Sequence, residues 1–373
     1  MRIGVNAQIV SPANAGVAVY ARNIVERLAQ LESGHEFYVF GNREFLPALD
    51  SPRARLVPTS AMVKGNWRRI LWEQGALPLK SRCHRLEAMY YPDHTSALFR
   101  KTCPVIITIH DLAFFAHPET FARKTRLYKS LAVKRSAHLA DRIIVVSQAT
   151  RQECLRWLEV PEAKLRVVHN GIAECFKRID DKNRLEETRK KLDLPGQFIL
   201  FVGTLEPRKN LVKLIAAYAD LRRQKKIAPG LVVVGAKGWL YSDIFATIDK
   251  LSLKNEIKFL GYVAADDLVA LYNLADVLVY PSLYEGFGFP PLEAMACGCP
   301  VVTSNQSSLP EIAGEAARLV DSTDIGAIAD GIFHVLSDAN LRQRLIERGL
   351  ERVKLFTWTR AAQQILQVMD ELG

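Results

Sequence analysis

Short apolar runs alternate with longer mixed stretches from one end of the chain to the other. In the first half the runs are IGVNAQIV, EFYVFG, AMYYPD, VIITIHD, RIIVVS and LRVVHNG; in the second they are FILFVG, LVVVGA, IKFLGY, VLVYPS, PVVTS and ARLVD. Runs that are largely apolar, rather than apolar at every second position, fit strands buried on both faces. The stretches between them carry helical patterns, and strands separated by helices build parallel sheets covered on both sides. Two such sets predict two doubly wound α/β domains. A faint repeat agrees: LADRIIVVS (139–147) and LADVLVYPS (274–282) share Leu-Ala-Asp, an apolar run and a closing serine.

Between the two sets, residues 174–197 are charged and lack long apolar runs, which places the interdomain connection there. The expected domains are 1–174 and 175–355. A last helix within 356–373, following Phe356 and Trp358, is expected to cross back to the first domain. A chain of 373 residues has room for two cores, since single cores stop growing near ~250–300 residues. With 49% hydrophobic and 24% charged residues it is globular, not disordered or collagen-like. No apolar run reaches the ~18 residues that span a bilayer, and MRIGVNAQIV enters a strand pattern rather than a signal peptide. The expectation is a soluble, cytoplasmic protein. The 6 cysteines are scattered without a zinc spacing, so they read as reduced thiols with no metal.

A net charge of +10 points to an anionic partner without choosing one. The densest basic stretch, residues 64–85, interleaves Trp67, Ile70, Leu71, Leu77 and Leu79 with its cations. It reads either as a segment lying on an anionic membrane surface or as an ordinary helix with a solvated basic face.

Four loops at strand ends carry candidate chemistry. After the first strand, Ala13 to Gly16 is a small-residue loop before a helix, suited to an anion or a sugar. It is neither G-x-G-x-x-G nor a P-loop. VIITIHDLAFF ends a strand in His110 and Asp111, a place from which a histidine can donate a hydrogen bond or move a proton. FVGTLEPRKNLVKLI carries Glu206, Arg208 and Lys209 before a helix beginning near Asn210, and paired cations at a helix start suit a diphosphate. EGFGFPPLE (285–293) joins a strand to a helix whose first turn holds Pro290 and Pro291 and which Gly298 ends. The pattern puts Glu285 at the strand end and Glu293 in the first helical turn. At different depths they make a poor acid–base pair for a glycosidase. Each fits better as an acceptor of hydrogen bonds from hydroxyls on separate parts of one long ligand.

EGFGFPPLE resembles the E-x7-E motif of family-4 retaining glycosyltransferases, which have the GT-B fold. VGTLEPRKNL, TIHDLAFF with the following HPETF, and VVHNG resemble the motifs of bacterial mannosyltransferases of polysaccharide and O-antigen assembly, in the same order. The likeness runs from RIGVNAQ to FTWTRAA. It implies two Rossmann-like domains facing a central cleft, 1–174 binding the acceptor and 175–355 the nucleotide sugar, and transfer of a hexose, mannose from GDP-mannose, to a lipid-linked or cell-surface glycan, polyprenyl-diphosphate-linked acceptors included. It implies retention, no metal and no cofactor beyond the nucleotide-sugar donor, with the protein cytoplasmic or peripheral on the inner face of the membrane.

Carried over by position, Glu285 and the backbone of Gly286, Phe287 and Gly288 hold the donor sugar, and Glu293 binds the ribose. Arg208 and Lys209 neutralise the leaving diphosphate, His110 faces the reacting sugar, and Gly16 stands near the phosphates or the acceptor. The chain departs from the family at Ala15, where a second glycine is common, and at Thr204, where many members have arginine. Phosphate neutralisation then rests on Arg208 and Lys209. A nucleotide-sugar epimerase of the same shape is an alternative within enzymes. A nucleic-acid-binding protein would explain the charge, but the basic residues are spread along helices without aromatic interleaving on a strand face, so no nucleic-acid partner is expected.

Overall fold

A computed structural model describes residues 1–10, 16–46, 49, 51–59, 66–98, 101–121, 123–224 and 229–373. The chain divides into two compact units, Met1–Gly171 with Thr357–Gly373, and Ile172–Phe356. In the first unit, β1 (Arg2–Asn6), β2 (Glu36–Gly41), β3 (Ala54–Pro58), β4 (Ala88–Tyr91), β5 (Val105–Ile109), β6 (Arg142–Val145) and β7 (Leu165–Val167) form one sheet in the order β3-β2-β1-β4-β5-β6-β7. In the second, β8 (Phe198–Val202), β9 (Gly230–Val234), β10 (Ile257–Gly261), β11 (Val277–Tyr280), β12 (Val301–Ser304) and β13 (Arg318–Val320) run in the order β10-β9-β8-β11-β12-β13. All pairings are parallel.

The apolar runs become strands because both faces are covered: β5 and β8 are buried at every position. β3 is the strand that the pattern does not announce. It sits at the sheet edge, with Arg55 and Pro58 exposed, and an edge strand needs no continuous apolar run. The short repeat has a structural cause. Asp141, before β6, accepts the N–H of Val105 at 2.7 Å, and Asp276, before β11, accepts that of Phe198 at 2.7 Å. In each sheet the aspartate ties the start of its own strand to that of a neighbour.

Charged residues 174–197 lie in the second unit and include the helix Lys182–Lys191, capped by the Asp181 carboxylate. That helix is tied to the helix Ala265–Leu274 by Lys191 and Asp267 at 2.9 Å. The final helix, Trp358–Asp370, belongs to the first unit and packs on the helix Val17–Gln30. Its buried Trp358, Ala361, Ala362, Ile365 and Val368 follow the helical period.

The basic stretch forms the helix Asn66–Cys83, whereas Lys64 lies outside the described residues. Leu77 is buried, but Leu71 and Leu79 are 72% and 54% exposed. Among the described residues no helix is long and apolar enough to cross a membrane.

The loops after β8 and β9 approach so closely that only glycine fits one position. Gly235 has φ +147, and a Cβ there would lie 1.9 Å from the Gly203 carbonyl oxygen. No rotamer change relieves a backbone clash. Gly235→Ala should therefore lower stability by on the order of 2 kcal/mol or more, read as an earlier urea midpoint with an unchanged slope; an unshifted midpoint would mean that the loops part freely.

Candidate active site

The strand order of the second unit reverses direction between β8 and β11, the place where open α/β sheets bind ligands. The loops leaving these strands are laced together. The Leu283 N–H donates to the Arg208 carbonyl at 2.9 Å, and Ser282 Oγ lies 3.1 Å from the same oxygen. After β8 a 3-10 turn, Pro207–Lys209, leads to Asn210, which at φ 59 opens the helix Leu211–Arg223. Buried Asn210 donates to the carbonyls of Pro281 and Ser322 at 3.1 and 2.7 Å. This fixes the turn that carries Arg208 and Lys209.

Glu285 does not end the strand, as its sequence suggests. β11 stops at Tyr280, because Pro281 has no N–H for the ladder, and Glu285 lies in the loop beyond. Its Oε1 accepts from Lys209 Nζ at 2.6 Å, Tyr280 OH at 2.7 Å and Ser282 Oγ at 2.6 Å. Oε2 takes Arg208 Nη1 at 3.1 Å. Burial pushes this carboxyl up, but the charges of Lys209 and Arg208 and the hydrogen bonds from Lys209 and Ser282 outweigh it and hold it at about 2.

Burial lowers the Lys209 ammonium against the pull of Glu285. Lys209 Nζ also donates to Tyr280 OH at 2.7 Å. Glu206, 3% exposed, receives Arg208 Nε and Nη2 on one oxygen at 3.0 and 2.7 Å. The result is a nearly neutral cluster of alternating charge. Oε1 of Glu285 is saturated, and Oε2 keeps room for a ligand hydroxyl.

The rest of the loop is pinned from below. Glu285 N–H donates to Ser307 Oγ at 2.9 Å, and the single Ser308 hydroxyl hydrogen is shared between the carbonyls of Glu285 and Phe287, 2.9 and 2.7 Å from Oγ. Phe287 is buried against Phe289 and Phe356, so its side chain anchors the loop. Gly288, at φ +113, starts the helix Phe289–Ala296. Glu293 falls in the second turn of that helix, not the first as its spacing suggests, because Phe289, Pro290, Pro291 and Leu292 occupy the first. It is half-buried, and Tyr272 OH donates to it at 2.8 Å. Burial lifts its carboxyl to about 7 against that hydrogen bond.

Two predicted residues lie in the first unit. Gly16, at φ 71, precedes the helix Val17–Gln30 and is exposed, while Ala13 to Ala15 lie outside the described residues. His110 follows β5 with Nε2 3.1 Å from the Pro92 carbonyl. A carbonyl only accepts, so Nε2 carries the proton. Burial and then the His94 charge lower the ring to about 4. His110 is therefore neutral, and its N–H is committed to Pro92. The ring offers a lone pair at Nδ1 rather than the donated hydrogen bond expected from its place in the sequence.

Sequence reasoning missed Tyr280, Ser282 and Tyr272. Their only signal is a hydroxyl at the end of an aliphatic run, or within a helix, where burial demands a partner.

Two parallel open sheets, the second with cations and a buried carboxylate at its switch point, form the architecture of GT-B glycosyltransferases. Residues 14–174 match the model described as Glycosyltransferase Family 4, and residues 184–352 that described as Glycosyl transferases group 1. The chain is 30% identical over 367 residues to O-antigen chain mannosyltransferase B of Escherichia coli, covering 94% of both proteins. It is 32% identical over 236 residues to the serotype-specific mannosyltransferase WbdA of Escherichia coli, covering 62% of this chain and 29% of that one. The structure of HepE from Anabaena in complex with UDP-glucose has the same fold, with a TM-score of 0.77, 20% identity and 100% of both chains covered. The chain belongs to the family-4 glycosyltransferases.

Removing one partner of a buried ion pair costs about 3–5 kcal/mol, because the other charge is left uncompensated. Glu285→Gln and Lys209→Met should each destabilise the protein, and the double variant by less than their sum. Urea denaturation of all four proteins measures this. Additive losses would show that Glu285 and Lys209 are held independently.

Proposed function

We propose that this glycosyltransferase moves mannose from GDP-mannose to a lipid-linked or cell-surface glycan, with retention at the anomeric carbon and without a metal ion. The observation that carries the reading is the junction of Arg208, Lys209 and Glu285 at the switch point; the O-antigen mannosyltransferase relatives support the choice of sugar. Breaking the anomeric C–O bond puts negative charge on a departing diphosphate and positive character on the sugar. Fixed cations stabilise the first. Arg208, charged at all working pH values, and Lys209, whose depressed ammonium recovers basicity beside a phosphate, fill the place of a metal.

Glu285 Oε2 accepts hydroxyls of the donor sugar, with the backbone of Gly286 to Gly288 beside it. Glu293 accepts those of the ribose. His110 accepts from a hydroxyl of the reacting sugar through Nδ1, and Gly16 lies near phosphate or acceptor. These roles predict different kinetic signatures. Glu285→Gln should mainly lower turnover, by on the order of 10²-fold, since it removes a contact to the centre that gains charge. Glu293→Gln should mainly weaken donor and free GDP.

Protonation adds a second readout. A ribose hydroxyl donates to ionised Glu293, whose carboxyl stands at about 7 when empty, so GDP binding expels a proton. GDP affinity should rise from about pH 6 to about pH 8 more steeply in the parent than in Glu293→Gln. Steady-state kinetics in EDTA and calorimetric titration of GDP test these points together. Parental GDP affinity in Glu293→Gln, or activity that requires added magnesium, would refute the assignment concerned.

Peripheral attachment to an anionic membrane is part of the proposal, supported by the exposed Leu71 and Leu79 on a helix that also bears Arg68, Arg69, Lys80 and Arg82. Vesicles rich in anionic lipid should bind the protein in a salt-sensitive way, and replacing Lys64, Arg68, Lys80 and Arg82 by Gln should abolish binding; Arg69 is kept, because its side chain faces Glu73 and Asp93. Equal binding to neutral vesicles would leave only a solvated basic face.

A further inference from the structure

The first sheet has its own switch point, between β1 and β4, where the order β3-β2-β1-β4-β5 reverses. Charged side chains gather there that the donor site does not use. Asn6 ends β1 and is 6% exposed; its Nδ2 donates to Glu73 Oε1 at 2.9 Å, and Glu73 is itself 5% exposed. Arg69, one helical turn before Glu73, stands with Nε 3.9 Å from Glu73 Oε1 and Nη1 3.6 Å from Asp93 Oδ2. Both gaps exceed a hydrogen bond. Asp93 Oδ1 is held by the His94 ring at 2.8 Å and by the His94 N–H at 2.7 Å.

Hydrogen-bonding capacity is left over among these groups. Within the described residues, buried Asn6 Oδ1 and Arg69 Nε have no partner, and neither Glu73 Oε2 nor Asp93 Oδ2 receives a hydrogen bond. Polar atoms buried without partners are costly in a folded protein, and here several converge. Tyr128, 44% exposed on the helix Arg123–Leu139, lies close enough for its hydroxyl to feel the charges of Glu73, Arg69 and Asp93.

Charge decides the kind of ligand. Asp93 is held well below the usual carboxylate range, burial being outweighed by His94 and Arg69. Burial raises the Glu73 carboxyl toward its neutral form, and, against burial, Asp93 raises the His94 ring; but the unfilled oxygens of Asn6, Glu73 and Asp93 call for donors, which a phosphate lacks. The guanidinium between the two carboxyls repels a metal cation. What remains is a neutral molecule that both donates and accepts, for which adjacent hydroxyls on a sugar ring are the fitting pattern, with an exposed aromatic ring for its apolar face.

We propose that Asn6, Arg69, Glu73 and Asp93, with Tyr128 at the rim, form a subsite for a neutral pyranose of the acceptor. The assignment rests on the reading that the acceptor is a glycan. Hydroxyls of the sugar bridge Arg69 to Glu73 and to Asp93 across the present gaps. Tyr128 covers one face of the ring.

The test is saturation-transfer NMR with α-1-linked mannobiose as probe, with the donor site filled by saturating GDP and the full chain used throughout. The parent should give a transfer signal. Arg69→Met and Asp93→Asn should weaken it by about ten-fold or more, since each removes a charge-assisted hydrogen bond. Both should keep the parent's amide NMR spectrum elsewhere in the first unit, which separates loss of the subsite from loss of that unit's fold, and should bind GDP in the second unit like the parent. Glu285→Gln should keep the mannobiose signal, because the probe then reports on the first unit. Absence of a signal in the parent, or a parental signal in both Arg69→Met and Asp93→Asn, overturns the subsite. Failure of the parent to bind GDP counts instead against the donor reading.

Discussion

A carboxylate stays ionised away from water only where donors and positive charge surround it. In the second unit Glu285 imposes that condition on three loops at once. The loop after β8 supplies Arg208 and Lys209 and the end of β11 supplies Tyr280 and the following Ser282 to the carboxylate, while the loop after β12 holds the Glu285 backbone through Ser307 and Ser308. None of these groups could leave without stranding another. The site is rigid because its charges are mutually dependent, not because the loops are short. Gly235 follows from the same demand, since bringing loop backbones this close leaves no room for a side chain, and Gly288 from the turn at φ +113 that leads the loop into its helix.

The two sheets share a device and then diverge from it. Asp141 and Asp276 hold corresponding strand starts through the same bond. At the far ends of those strands the shared serines part ways. Ser147 caps the helix Gln148–Leu158 by accepting from the Thr150 N–H at 3.0 Å, whereas Ser282 donates to Glu285 at 2.6 Å. A helix that begins at once after the strand needs a cap. Pro281 and the glycines delay the helix in the second unit, and the freed hydroxyl joins the site. Common scaffolding at the strand starts and separate chemistry at the strand ends are what an open parallel sheet permits.

Much of this was legible in the sequence because parallel strands must be apolar throughout. Every quoted run became a strand, and only β3 escaped, as an edge strand with arginine and proline facing out. Arg208, Lys209 and Glu285 were legible as charges set among glycines and prolines at strand ends. Their partnership was not, since no spacing rule links residues so far apart in the chain. Tyr280 looked like one more buried strand residue. The depth of both glutamates differs from what their spacing suggests, because Pro281 ends the strand early and Phe289, the two prolines and Leu292 fill the first helical turn. For His110 the position could be read but not the proton, which depends on a carbonyl at Pro92.

The balance of charge around Glu285 bears on how firmly an anion can be held. On the proposed reading, Arg208 and Lys209 alone would hold a diphosphate tightly both before and after the bond breaks, and slow its release. Glu206 takes two N–H groups of Arg208, and Glu285 takes a hydrogen bond from each cation. Part of the cationic field is therefore already answered before a ligand arrives. A dianion then gains little in the ground state. It gains more as the bond breaks and its terminal charge grows, because Lys209 has only to turn its remaining N–H toward it. Binding that strengthens as charge develops lowers the barrier, whereas uniform binding would only slow release of the nucleotide. On the proposed reading, Glu206 and Glu285 thus serve turnover by moderating the very cations that they hold in place.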